Sequence, residues 1–405
     1  RLSGLEPLAG SIPGYAVMSA FLAHLDQQLG ALKARKLWRK RAISRPLPDA
    51  HIERNGQVLL NFAGNDYLGL SQHPQLKLLA AQDVAGATAS PLICGHHALA
   101  QQLEQELADW SGFEASRLFV SGYQASLGVI PALVGTGDTI FCDRLNHASL
   151  IDASRLSGAR LRVYPHRDMA RLDDLLDRPT TGFKLVISDS LFSMDGTVAP
   201  VDELITLCER HDALLYLDDA HGLGVLGENG RGAPEHFLLN TTQRQHLIYL
   251  GTFGKAAGQG GAFIACSHSL ADWFTQSARS YVYSTGLAPA HCASLLACLQ
   301  LIKQAQPQRA LLKEHIQTLQ TSSQDLPWRL APSDTPVQSL LMGEVDPALQ
   351  LSDILLQKGI WAPAIRPPTV PRHQARLRIS LSAAHRHQDI EKLVQALHEA
   401  AHSLR

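Results

Sequence analysis

The chain has 405 residues, 45% of them apolar, with 37 acidic side chains against 36 basic ones and a formal net charge of -1. That length supports more than one domain, and the composition is that of a globular protein rather than a disordered or fibrous one. The charge balance gives no support to a nucleic-acid or membrane-surface binder, and no apolar run approaches the roughly 20 residues a membrane helix needs.

Met18 is the first plausible start, and residues 1–17 read as an extension or as foreign to the native chain; Ser11 to Leu25 is mildly apolar but lacks the basic flank and cleavage site of a secretory signal. Residues 18–45 are expected to form an amphipathic helix, because Phe21, Leu25, Leu29 and Leu32 recur at helical spacing ahead of Pro46. Its later part crowds together Lys33, Arg35, Lys36, Arg39, Lys40 and Arg41. Such a run is usually a solvated face; in an otherwise neutral chain it can also steer an anionic partner.

Between about 58 and 285, short apolar or β-branched runs alternate with helical stretches. Strands are expected at Arg117–Ser121, Thr139–Asp143, Leu185–Ser188, Leu214–Asp218, Ile248–Gly251 and Ala262–Cys266. A helix between them carries Leu99, Leu103, Leu107 and Trp110 on one face. This alternation predicts an α/β fold, a large domain with a mainly parallel central sheet flanked by helices. From about 290 the character changes to a smaller α+β domain, with runs at Val337–Met342, Trp361–Ile365 and Leu377–Leu381 and a closing helix striped by Ile390, Leu393, Val394 and Leu397. The division expected is an arm at 1–57, a large domain at 58–288 and a small C-terminal domain at 289–405. Six cysteines (Cys94, Cys142, Cys208, Cys266, Cys292, Cys298) lie in apolar surroundings without a Cys-x-x-Cys pair. They read as buried thiols of a reducing compartment, the cytoplasm, rather than as disulfides or a metal site.

In open α/β sheets, ligands bind beyond the carboxyl ends of the strands, and polar residues gather at those ends here. Lys255 sits in Gly251-Thr252-Phe253-Gly254-Lys255 after an apolar run. A nucleotide-phosphate loop would need Gly where Tyr249 stands and Ser or Thr where Ala256 stands, so that reading fails. A surface lysine and a Schiff-base lysine among small residues remain. Asp218 ends a strand, and a carboxylate buried there needs a proton donor such as a protonated pyridine nitrogen. His221 follows three residues later; as a metal pair with Asp218 it lacks further ligands at recognisable spacing. Asp219 could cap a helix, and His147 could stack on a ring or cap the helix after it. Gly122 and Tyr123 open a helix where amides face an anion, and Ser193 and Thr252 offer hydroxyls to the same group.

Asn65-Asp66-Tyr67-Leu68-Gly69-Leu70, Asp143 to Leu150, Phe192 to Gly196, Asp218 to Gly222, Thr252 to Lys255 and Arg366 to Pro371 occur in an order similar to that of the α-oxoamine synthases. The chain resembles this family of pyridoxal-phosphate-dependent enzymes of fold type I from about residue 25 to its end. The resemblance implies Lys255 as the cofactor-binding lysine and Cα acid–base group, and Asp218 against the pyridine nitrogen. His147 would stack on the ring and His221 would contact its oxygen. Ser193, Thr252 and the amides of Gly122 and Tyr123 would hold the phosphate of pyridoxal 5'-phosphate. Arg378 would bind the amino-acid carboxylate, Arg39 and Thr369 would lie on the substrate side, and Ser284 and Thr285 would reach a partner subunit in a homodimer.

The branch most like this chain joins L-alanine to a pimeloyl thioester on coenzyme A or acyl carrier protein; no metal is implied. A sibling using glycine and a shorter thioester is the alternative, and a non-catalytic relative that kept the pocket is a further one. Pro91, Ala100 and Ser126 depart from the family pattern, near the expected substrate side and a helix start, and put acyl specificity or catalytic rate in question.

Overall fold

The computed structural model describes residues 13–38, 42–79 and 84–404, with side chains from residue 22 onward. Seven strands form the central sheet: β1 (Ala115–Phe119), β2 (Thr139–Asp143), β3 (Arg160–Tyr164), β4 (Lys184–Asp189), β5 (Leu214–Asp218), β6 (Leu247–Thr252) and β7 (Ala262–Cys266). Their spatial order is β3-β2-β4-β5-β6-β7-β1. The run from β3 to β6 is parallel, and β7 is antiparallel to both its neighbours.

Parallel strands with both faces covered read as continuous apolar runs, and β6 is buried along its whole length. The pleat still sorts side chains by alternation. Leu185, Ile187, Tyr216, Ile248 and Leu250 pack on one face, with Val129 and Leu150 from the helices there. Val186, Leu215, Leu217, Leu247 and Tyr249 face the other side. That second core runs on without a break into the C-terminal region, taking in Leu299, Leu340, Leu377 and Leu393.

The C-terminal region holds a four-stranded sheet of Arg329–Leu330, Val337–Gly343, Ala375–Ser380 and Ala364–Ile365, all antiparallel. A second four-stranded sheet joins Ser44–Pro46, His51–Arg54 and Gln57–Asn61 to the distant Ile360–Trp361, which pairs parallel to Gln57–Asn61. Residues 62–67 are thereby laid on the C-terminal sheet: the Ser380 amide donates to the Phe62 carbonyl at 2.9 Å and the Ala383 amide to that of Tyr67 at 2.8 Å.

Several expectations shift. The first helix spans Pro13–Ala34 and stops well before residue 45. Lys36 adopts φ 56° and the Leu37 amide reaches back to the Leu32 carbonyl, a left-handed termination that the residue types do not announce. Strand β3 was not anticipated; it is an edge strand whose arginines interrupt the apolar pattern. The run Trp361–Ile365 splits at Pro363 into strands of different sheets, because proline cannot supply the ladder N–H. Cys94 is exposed, against the expectation for all six thiols; it sits in the short turn Pro91–Gly95.

Candidate active site

Strands β4 and β5 end side by side with Asp189 opposite Asp218. Asp218 is buried and accepts the amide of Ala220 at 3.0 Å. Asp219 points away and acts as a clamp: it accepts from the Tyr249 hydroxyl at 2.8 Å, from the Ala233 amide at 2.9 Å and from the Ser190 hydroxyl. Burial pushes its carboxyl up to about 7. Of the two adjacent acids, only Asp218 is left to face the site.

After β6 the chain makes the turn that carries Lys255. Two of its glycines are demanded by packing. Gly258 has φ 65°, and a Cβ there would lie 2.4 Å from the Ser71 amide nitrogen. A Cβ on Gly251 would lie 2.4 Å from the ring of Phe263, its partner across β7. At Gly254 the space is ordinary, with the nearest atom 3.6 Å away. Two of the glycines beside the lysine thus serve the fold. Lys255 makes no hydrogen bond with any described residue. Burial pulls its amine down to about 8, opposed chiefly by the charge of Asp218. An amine lowered to about 8 is still mostly protonated near physiological pH, but its neutral, nucleophilic fraction is far larger than that of an ordinary lysine.

His147 caps the helix Ala148–Ser157, its Nδ1 meeting the Ser149 amide at 3.2 Å and hydroxyl at 2.8 Å. Stacking and capping are compatible, since capping uses one ring edge and leaves the face open. Its backbone is fixed by Asp189, which accepts the His147 amide at 2.6 Å. Burial lowers the His147 imidazole, with Asp218 opposing. His221 is held well below its ordinary value by burial and then by the charge of Lys255, so it is neutral.

The opposite wall comes from elsewhere in the chain. Buried Arg378 donates to the Ser193 carbonyl at 2.6 Å, to the Ser380 hydroxyl at 2.7 Å and to Asn65 Oδ1 at 3.1 Å. Arg376, fully buried, donates to Asp195 at 2.6 Å and to the Met194 carbonyl at 3.2 Å, fixing the turn that carries Ser193. Between the walls lies a cavity of about 790 Å³ lined by Asn65, His147, Ser193, His221, Lys255 and Arg378, with Thr369 in its rim segment. A larger hollow, about 990 Å³, lies around Trp328 and Thr197 and holds none of these groups. Chemistry rather than size selects the site.

Gly122 and Thr252 adjoin one another outside that lining: a Cβ on Gly122 would be 4.0 Å from Thr252 Cβ. Gly122 opens the helix Gly122–Leu133 behind the cap Ser121, and Tyr123 meets His147 edge-on at 6.4 Å. The Thr252 hydroxyl donates to the Gly261 carbonyl and accepts from the Gly254 amide. Ser284 and Thr285 lie away from the cavity, Ser284 accepting from Gln124 at 2.6 Å. Arg39 lies outside the described residues. None of Pro91, Ala100 and Ser126 lines the cavity; Ser126 is buried against Gly122 and Tyr216. Their effect on the acyl site, if exerted within this chain, is therefore indirect.

Sequence reasoning assigned no role to Asp189, Tyr67 or Asn65. Asp189 ends an apolar run just as Asp218 does, a signal that was present. Tyr67 and Asn65 stand in a loop far along the chain from the other groups, and only the fold brings them in.

The aminotransferase class I and II family model matches residues 57–397. The chain belongs to this family. Curated members similar to it include the 8-amino-7-oxononanoate synthase of Nitrosospira multiformis, 47% identical over 93% of this chain and 95% of that protein. Another is 8-amino-7-oxononanoate synthase 1 of Polaromonas sp. strain JS666, 46% identical over 95% and 97%. Among solved structures, a Sphingomonas wittichii serine palmitoyltransferase superposes with a TM-score of 0.87 at 26% identity, covering 95% of this chain and 98% of that one. An 8-amino-7-oxononanoate synthase from Francisella tularensis gives 0.74 at 28%, covering 86% and 99%. The fold of this aminotransferase-family chain is type I of the pyridoxal-phosphate enzymes, and pyridoxal phosphate is its cofactor. The residues fit that group: a lysine of lowered basicity, a buried carboxylate whose charge acts on it, two neutral imidazoles and a cavity large enough for a ring and an amino acid.

Proposed function

We propose that the chain catalyses the reaction for which its curated relatives are named, in biotin biosynthesis: decarboxylating condensation of L-alanine with a pimeloyl thioester. The observation that carries this reading is the single cavity in which Lys255, His147, His221 and Ser193 face Arg378. Bound pyridoxal phosphate supplies an electron sink for the pair of electrons left when a Cα proton departs.

Each residue then has a defined task. Lys255 Nζ would hold the cofactor through its aldehyde and would take the Cα proton, a role its lowered basicity suits. Asp218 would keep the pyridine nitrogen protonated. His147 would cover the ring and His221 would serve its oxygen. Ser193, Thr252 and the amides of Gly122 and Tyr123 would hold the phosphate. Arg378 takes the alanine carboxylate, and Thr369 lies on the substrate side. The new carbon–carbon bond forms as the thioester C–S bond breaks, the thiol leaves with a proton, and the former carboxylate departs as carbon dioxide.

A second hollow, about 330 Å³, also touches Lys255 and Asn65 and opens beside Leu47 and Ile52. Approach to one amine from two sides suits a reaction that joins two substrates. Arg39 at the acyl entrance, steering by the basic arm, a homodimer with Ser284 and Thr285 at the partner's site, and a cytoplasmic setting complete the reading. So does the division at 1–57, 58–288 and 289–405. A matrix of amino acids against acyl thioesters on coenzyme A and acyl carrier protein, read by free-thiol release, tests it. Turnover confined to alanine with pimeloyl thioester is expected. Turnover with glycine and a shorter thioester, or none with any pair, overturns it.

A further inference from the structure

Tyr67 is fully buried, and its hydroxyl stands at the meeting point of the two walls. It is 2.7 Å from His221 Nδ1, 3.3 Å from Asn65 Oδ1 and 3.5 Å from Arg378 Nη2. The chemistry of those neighbours restricts where its one proton can go. A guanidinium only donates, and an amide oxygen only accepts. Asn65 Oδ1 already receives Arg378 Nη2 at 3.1 Å, a shorter contact than the one it makes with the phenol. The imidazole is buried beside two cationic side chains and is neutral, so one of its nitrogens carries a lone pair. Burial likewise keeps the Tyr67 phenol protonated. The pattern that puts the phenol's proton in the shortest of its contacts, 2.7 Å, has Arg378 donating to the phenol oxygen and the phenol donating to Nδ1.

We propose that Tyr67 is a positioning residue: its O–H donates to Nδ1 of His221 and fixes that imidazole as the tautomer with its proton on Nε2. Among the described residues Nε2 has no hydrogen-bond partner, and His221 lines the cavity beside Lys255. The fixed proton therefore serves as a hydrogen-bond donor directed to the cavity. This deepens the role given to His221 above, because a ring oxygen that carries negative charge needs a donor, and the other tautomer would present a lone pair to it. The hydroxyl also joins the carboxylate-binding arginine to that histidine through one atom. The tyrosine ring lies in the apolar core with Phe62, Leu68 and Leu70, packing that a phenylalanine ring can keep.

The test reads the tautomer directly. Protein labelled with 15N-histidine, free of cofactor, is compared with its His221→Asn variant so that the His221 nitrogens are assigned by difference. The wild type is expected to show an unprotonated Nδ1 and a protonated Nε2; a protonated Nδ1 overturns the proposal, whatever the substrates prove to be. In Tyr67→Phe the two shifts are expected to move towards the average of mixed tautomers, and unchanged shifts overturn it. For kinetics, Tyr67→Phe is expected to lower kcat about tenfold while the amino-acid KM stays within about twofold, because Arg378 keeps its bonds to Ser193, Ser380 and Asn65. Adding Tyr67→Phe to His221→Asn is expected to cost nothing more; an additive loss overturns the proposal, because a hydroxyl acting only through His221 has nothing left to position. The wild-type spectrum decides the matter even if the phenylalanine variant fails to fold.

Discussion

The two walls of the cavity are built differently. The wall carrying Asp218, His147 and Lys255 hangs from the ends of neighbouring parallel strands, where one sheet fixes every backbone and burial lowers the basicity of His147 and Lys255. The wall carrying Arg378, Asn65 and Tyr67 is assembled from segments more than 300 residues apart, held by side-chain bonds to carbonyls and hydroxyls. A sheet supplies rigidity by its own ladder. The facing wall depends on buried arginines, whose partners are left unsatisfied when the guanidinium is removed. Chemistry should therefore fail when the first wall is altered, and substrate binding or stability when the arginines of the second are; Tyr67, which acts through His221, goes with the first.

Lys255→Ala is the most severe test of the first wall. Turnover is expected to fall by about a thousandfold or more, together with loss of the protein's cofactor absorbance band, measured on purified enzyme. Retained turnover would remove Lys255 from the chemistry. On the second wall, Arg378→Ala is expected to raise the alanine KM about a hundredfold with a smaller change in kcat, as charge-assisted bonds to a carboxylate are lost. An effect on kcat alone would blur the distinction between the walls.

Arg376 tests stability without touching substrate. Arg376→Ala leaves Asp195 and the Met194 carbonyl without their donor, and about 2 kcal/mol of destabilisation is expected in urea unfolding. A smaller effect concerns pH. Lys255 titrates at about 8 in the folded chain against 10.5 ordinarily, so between those values the unfolded state binds more protons and stability rises with pH. Cofactor-free wild type should gain on the order of 2 °C in Tm relative to Lys255→Met from pH 8 to 10.5. A constant difference would mean the amine is not desolvated. The smallest effect expected is at the arm. Arg39→Glu with Lys40→Glu should raise the acyl-thioester KM about threefold at low salt, fading at high salt, with the alanine KM unchanged.

Reading the chain without its structure located Lys255, Asp218, His147 and His221, because strand ends in an alternating α/β pattern announce themselves by an apolar run closing on a polar residue. The same rule would have found Asp189. It chose Asp218, the strand-ending acid, over Asp219, but could not show the clamp of Ser190, Tyr249 and Ala233 that makes Asp219 structural. Nor could it assign the glycines, since Gly251 yields to Phe263 and Gly258 to Ser71, contacts with other parts of the chain. The edge strand Arg160–Tyr164 was hidden because half-exposed edges lack a continuous apolar signal.

By itself, then, the sequence determined the α/β layering, the order of the chemical groups along the chain and the family. The layering and the order of groups rest on local periodicity and residue types, and the family on the resemblance of whole motifs. The tertiary structure decided what ties Asp219 down, how far burial lowers the Lys255 amine, and that Tyr67 from one end of the chain meets Arg378 from the other. Desolvation and long-range contact are properties of the packed molecule, and no run of neighbouring residues encodes them alone.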